Sequence, residues 1–159
     1  QPDIQYHFLP VAISYEWDPC DVMKARELYT KQTEGSYQKD THEDVQSIGM
    51  GIAGDKGRVH VHFGKPLSGE FADTEAVAAE IDRQILSSYV LFPSNYLAAA
   101  ALNQSTVGEC GYPAKAWPAA ETELARVRFA ERLAACPEAY RGHWLAMYAN
   151  PVQAKQRAL

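Results

Sequence analysis

The run from Tyr6 to Asp21, Tyr-His-Phe-Leu-Pro-Val-Ala-Ile-Ser-Tyr-Glu-Trp-Asp-Pro-Cys-Asp, constrains the fold more than any other stretch of the chain. Leu9, Val11, Ile13 and Tyr15 alternate with Phe8, Pro10, Ala12 and Ser14, so both faces of this extended segment are largely apolar. Such a strand belongs in a sheet covered on two sides, the usual situation of parallel sheets. Pro10 has no N–H to give a ladder and suits an edge or a bulge, which pulls against a central position. The segment leaves through an acidic loop carrying Glu16, Asp18 and Asp21, at the strand end where α/β proteins place ligand-binding groups. Carboxylates there suit acid–base work or cation binding, and equally a helix cap beside a solvated loop.

Arg58 to Phe63 is the second strand signal. Val59, Val61 and Phe63 alternate strictly with Arg58, His60 and His62, which predicts one buried face and one polar face. Between the strands, Asp21 is a cap for a helix to about Gln32, with Ala25, Leu28 and Tyr29 at core spacing. Thr41 and Asp44 resemble a capping box for a second helix whose inner face would carry Val45, Ile48 and Ile52. A helix from Asp73 or Thr74 to about Ser88 follows, then an alanine-rich helix opening at Pro93. The order of strand, helices, strand and helix predicts an α/β fold, a partial parallel-type sheet with βαβ crossover helices and a helical C-terminal extension. We divide the chain into an α/β domain over 1–103, a linker over 104–118 rich in Gly and Pro, and the extension over 119–159. Two helices are expected in the extension, Ala119 to Ala135 and Glu138 to Ala149, the second stopped at Asn150-Pro151.

Several functions are excluded or weakened by composition and spacing. At 159 residues and 47% apolar the chain has the size of one globular domain with a real core. No stretch reaches the ~18 uncharged apolar residues of a spanning helix. Residues 1–113 carry eight Lys and Arg against sixteen Asp and Glu, so the body lacks the basic stripe of a nucleic-acid binder. Cys20, Cys110 and Cys136 are odd in number and widely spaced, unlike a disulfide or zinc framework, and fit a reducing cytoplasm. Gly49-x-Gly51-x-x-Gly54 matches a dinucleotide fingerprint in letters only, because a helix precedes it and a strand follows. His60 and His62 share a strand side, but no further ligand stands at metal spacing, so no metal site is assigned. Tyr140, Trp144, Met147 and Tyr148 form a stripe with basic neighbours that suits either a membrane interface or a seam between packed helices.

The first strand resembles the last sequence block of the glycerolipid acyltransferases, which include glycerol-3-phosphate and 1-acylglycerol-3-phosphate acyltransferases. Leu9-Pro10-Val11 occupies that family's Pro-centred strand and Ile13-Ser14-Tyr15-Glu16 continues it, while Val61-x-Phe63-Gly64-x-Pro66 resembles the strand that follows. The likeness is good over roughly 5–67 and looser to Leu102. The family's His-x-x-x-x-Asp and phosphate-binding blocks are absent: none of the five histidines has an aspartate five residues on. With no initiator Met, the expectation is a C-terminal part of such an enzyme that lacks the catalytic half, so no catalytic residue is assigned here. The resemblance implies acyl transfer from an acyl-thioester, acyl-CoA or acyl-carrier protein, to a glycerol-phosphate or lysophospholipid acceptor, with no bound cofactor. It further implies a cytoplasmic location peripheral to the inner face of a membrane, with membrane-surface contact and no nucleic-acid partner. Leu9, Pro10, Val11, Tyr15 and Glu16 become the candidate substrate-binding residues. The alternative is a non-catalytic module that binds a lipid or a protein.

Overall fold

The structure, a computed structural model, describes residues 8–102 and 117–157. The linker expected over 104–118 falls almost wholly outside them, as do His7 and Cys110. Strand β1 (Val11–Tyr15) is followed by helices α1 (Asp21–Glu34) and α2 (Glu43–Ala53), strand β2 (Val59–Phe63), and helices α3 (Thr74–Ser88) and α4 (Pro93–Ala101). Helix α5 (Ala119–Ala135), a short 3-10 turn at Glu138–Tyr140 and helix α6 (Arg141–Arg157) complete the described chain.

The parallel sheet with βαβ crossovers is not present among the described residues. The described residues are 63% helical, and the sheet among them has two strands, β1 and β2, which run antiparallel. Val11 stands opposite Phe63, Ile13 opposite Val61 and Tyr15 opposite Val59. The reason for the difference is directional. Two helices between two strands fit a crossover, but they equally return the chain to an antiparallel neighbour, and side-chain alternation has a period of two in either direction.

The sheet is also inverted relative to the expected facing. Ala12 and Ser14, small residues, are buried and face the helical body, with His62 and His60 opposite them on the same face. The Ser14 hydroxyl accepts a hydrogen bond from the Val90 N–H at 3.0 Å, tying β1 to the segment after α3. Val59, Val61 and Phe63 are therefore turned outward, and Phe63 is 66% exposed. Helix α2 shows the same reversal, since Val45, Ile48 and Ile52 are all exposed instead of forming an inner face.

Local signals place the other helices well. Asp73 caps α3, its side chain accepting the Ala76 N–H at 2.8 Å. Pro93 opens α4, and the Asn95 side chain accepts the Phe92 N–H at 2.8 Å. Helix α5 has the expected limits, whereas α6 continues through Pro151 to Arg157 instead of stopping before it. Proline in a helix interior costs ~3 kcal/mol in isolation, so packing must hold this turn. Val152, next to it, is buried in the core.

That core is one cluster built by the helices and the end of β1. Trp17 and Trp144 are fully buried in it, with Ala98 and Ala99 of α4 letting α6 approach closely. Trp144 meets Phe129 of α5 edge-on at 5.3 Å and Tyr148 at 4.7 Å between ring centres. The aromatic stripe of the tail is thus an internal seam. Trp144→Ala should lower unfolding free energy by ~3–5 kcal/mol, the range for an aromatic removed from a packed core. Urea denaturation followed by far-UV circular dichroism measures it, and a loss below about 1 kcal/mol would contradict this packing.

Candidate functional site

The functional candidates gather where β1 ends. Glu16 is buried, and Arg58 grips its carboxylate as a fork: Nη2 donates to Oε1 at 2.9 Å, and Nε and the Arg58 backbone N–H donate to Oε2 at 3.0 and 3.1 Å. Arg58 Nη1 also donates to Glu121 of α5 at 2.6 Å, and its guanidinium lies 4.0 Å from the centre of the Trp117 ring. The Glu16 carbonyl accepts the Ser94 hydroxyl at 2.8 Å. Gly57 makes this close approach feasible. Its φ is +59°, and a Cβ there would lie 2.6 Å from Trp17 and 2.8 Å from Glu16 Oε2.

Trp17 then plunges into the core, and the loop after it is held by a second polar junction. The Tyr148 hydroxyl accepts the Asp18 N–H at 2.9 Å and donates to Asp21 Oδ2 at 2.9 Å. Arg132 donates from Nη2 to the same Asp21 oxygen at 2.8 Å and to the Asp18 carbonyl at 3.1 Å. Asp18 spends its own carboxylate on the Cys20 N–H at 2.8 Å and on Lys24 at 2.5 Å. Every carboxylate of the acidic loop is therefore engaged by a cation, a hydroxyl or a backbone N–H. In this arrangement they brace the loop, and Asp18 also lines the pocket beside it.

Burial, and next the Asp21 charge, push the Tyr148 phenol well above the ordinary tyrosine range, so it stays a donor. Burial, then the Asp18 charge, raise the Cys20 thiol as well, and its Sγ donates to the Ser47 carbonyl at 3.4 Å. A thiol so placed is an inert hydrophobe.

Beside the braced loop lies a half-open pocket of about 440 Å³ between β1, α1 and α2. Tyr15, Pro19, Met23 and Ile48 give it apolar walls, and Lys24, Lys39 and Lys56 are among the residues around it. Lys39 is paired with Asp44 at 2.8 Å, and Lys56 donates to the carbonyls of Ile52 and Gly54, closing the end of α2.

The five residues singled out in the sequence do not converge. Tyr15 lines the pocket, and Glu16 is turned away from it into the Arg58 fork. Pro10 is buried, Val11 half-buried and Leu9 exposed at the other end of the strand, which at 3.3 Å per residue is about 20 Å from Tyr15. Arg58, Arg132, Tyr148 and Trp117 were not anticipated. Their partners lie 42 to 130 positions away, and no local spacing announces such pairs. His60 and His62 stack with ring centres 6.4 Å apart, and no group of three potential metal ligands occurs among the described residues. Nor is any helix among them long and apolar enough to cross a membrane.

No protein-family model, curated protein or solved structure matches this chain.

Two outcomes are expected. Glu16→Gln should cost about 1.5–3 kcal/mol, the range for hydrogen bonds to charged groups, and a double-mutant cycle with Arg58→Met should return most of it as coupling. Tyr148→Phe should cost about 1–3 kcal/mol near neutral pH by leaving Asp18 and Asp21 short of a partner. The folded-state pKa of Tyr148 is the higher one, so its contribution is fully present below about pH 10 and is lost as pH rises beyond that. The gap between thermal melts of the two proteins, measured between about pH 8 and 11, should therefore narrow above about pH 10. A gap that is constant across that range would show that Tyr148 does not titrate as described.

Proposed function

We propose that this chain is the C-terminal part of a phospholipid-biosynthesis acyltransferase that moves an acyl group from an acyl-thioester to a glycerol-phosphate or lysophospholipid acceptor. One observation carries the reading. The two segments by which the chain resembles the glycerolipid acyltransferases, around Leu9 to Glu16 and Val61 to Pro66, are far apart in sequence yet lie side by side as one ribbon. Their side chains form an apolar face that the described residues leave uncovered. That is the condition expected of scaffold strands belonging to a larger catalytic domain.

In such an enzyme the resemblance assigns proton removal from the acceptor hydroxyl to a histidine oriented by aspartate, and phosphate binding to arginines, in blocks this chain does not contain. The Glu16–Arg58 fork and the Tyr148–Asp21 junction then serve as bracing for the strand end and loop that would border the pocket. A position at the cytoplasmic face of a membrane, peripheral to it, follows from the same reading. The half-open pocket favours a second reading, a non-catalytic module that binds a lipid or a protein.

Incubation with radiolabelled acyl-coenzyme A or acyl-carrier protein, and glycerol 3-phosphate or lysophosphatidate, separates the two. The full reading frame in membranes should transfer the label, and the 159-residue chain alone should not. A folded full-length protein that is silent with every acceptor and both donors would remove the acyltransferase reading. Robust turnover by the chain alone would move the chemistry onto its own residues.

A further inference from the structure

The pocket between β1, α1 and α2, at about 440 Å³, falls within the ~300–1,000 Å³ range of small-molecule sites. Tyr15 of β1, Pro19 of the loop, Met23 of α1 and Ile48 of α2 give it apolar walls. The unbranched thioether of Met23 suits a flexible occupant, because it repacks easily. Two glycines shape the α2 side. A Cβ on Gly54 would collide with Pro19, so glycine there lets the end of α2 close against the loop. Gly51 borders the pocket, and no atom lies within 4 Å of where its Cβ would stand. A side chain at that position would extend into space that is now empty. Glycine is a poor helix former, so its presence inside α2 leaves this space open at a cost in helix propensity.

The charges around the pocket sort into pairs with one cation left over. Asp18 holds Lys24 at 2.5 Å, Glu27 holds Lys31 at 2.6 Å, and Asp44 holds Lys39 at 2.8 Å. Glu43 accepts the Tyr37 hydroxyl at 2.5 Å and has Arg26 at 3.2 Å. Each carboxylate on the pocket wall thus has a cation of its own. Lys56 differs. Its Nζ donates to the carbonyls of Ile52 and Gly54 at 3.2 and 3.1 Å, and it makes no ion pair with a carboxylate of the described residues. An ammonium group has three N–H donors, so one remains beyond those two bonds, on a residue that lines the pocket.

Walls and cation together select the occupant. A neutral lipid would cover the walls and leave Lys56 without a counter-charge. Inorganic phosphate would answer Lys56 and leave the walls in water. A molecule with one apolar chain and one anionic end meets both.

We propose that this pocket binds a single-chain amphiphile whose tail lies among Tyr15, Met23 and Ile48 and whose anionic head, a carboxylate or a phosphate monoester, pairs with Lys56. This rests on the second reading given under Proposed function, which the same pocket favours, and names its ligand class; it requires no acyl transfer.

The test is a titration of the 159-residue chain, followed by the NMR signal of the Met23 methyl. The probes are hexanoate, octanoate, decanoate, octyl phosphate, octanol and octyltrimethylammonium, each below the concentration at which it forms micelles. The methyl should shift saturably with one ligand per chain, and each added methylene should tighten binding up to about fourfold, the factor for full burial. Octanol and octyltrimethylammonium should bind about fivefold more weakly than the two octyl anions, the upper range for an exposed ion pair, and Lys56→Gln should remove that difference. Gly51→Leu should weaken both anions at least about tenfold by filling the pocket, without lowering the melting temperature, since leucine is the better helix former. Tighter binding of octyl phosphate would assign a phosphate-bearing headgroup, and tighter binding of octanoate a free fatty acid; either supports the site. Octanol binding as well as octanoate, a Met23 methyl that does not move, or unchanged binding in Gly51→Leu would overturn it. Because binding is read apart from acyl transfer, a chain that binds the anions keeps the pocket even if the full reading frame transfers no label. A chain that binds none loses the pocket and leaves the acyltransferase reading to its own assay.

Discussion

The burial of Trp17 at the end of β1 is the constraint on which the rest depends. Its ring is fully buried against Tyr148, edge-on at 5.8 Å, with Arg132 5.1 Å from the ring centre. Placing an indole there draws the last residue of the strand and the first of the loop under α5 and α6. The backbone polar groups dragged in with it must then find partners, because an unpaired buried group costs about as much as a lost hydrogen bond. Glu16 meets Arg58 on one side and the Asp18 N–H meets Tyr148 on the other. The two polar junctions are thus consequences of one apolar anchor, and they explain why acidic residues that read as a potential catalytic cluster are consumed as structure.

The same anchor accounts for the facing of the sheet. Helix α3 and the segment after it close over β1 where side chains are small, and Ala12 and Ser14 lie on that side. The bulky set, Val11, Ile13 and Tyr15, is left facing away. Antiparallel pairing at this register forces Val59, Val61 and Phe63 to the same outer side, since residues opposite each other share a face. A one-residue slip of β2 against β1 would turn them inward against the helices, at the cost of the Glu16 to Arg58 bonds.

What was legible in the sequence is what chemistry makes local. Asp73 and Pro93 act on the backbone within three residues, and α3, α4 and α5 begin where such signals stand. The alternation at Val59 to Phe63 identified a strand but carried neither its direction nor the choice of which face is covered. Those are decided by residues elsewhere, by small side chains on β1 and by the helices that return over them. Pro151 misled because a helix-breaking propensity was weighed without the tertiary contacts of Val152, Ala149 and Tyr148 that hold the turn together. Of the candidate site, Tyr15 was found at the pocket and Glu16 at a charged junction, but Arg58, 42 positions further on, left no trace in spacing.

The mismatch between the expected two-sided burial of β1 and its observed one-sided burial has a physical meaning of its own. A sequence that writes Leu9, Ile13 and Tyr15 onto one side of a strand, and Val45, Ile48 and Ile52 onto one side of a nearby helix, spends strongly apolar side chains on surfaces that the described residues leave exposed. The periodicity predicts burial of these faces, and among the described residues they are exposed instead. At ~25 cal/mol per Å², a face on the order of 1,000 Å² represents up to ~25 kcal/mol of gross transfer free energy, larger than the net stability of a typical domain. Among the described residues the two-stranded sheet also has no third strand at either outer edge, which makes the outer side of this ribbon the least self-sufficient part of the described structure. The helical body at the other end, with its indoles sealed among α4, α5 and α6, is the part that stands without help.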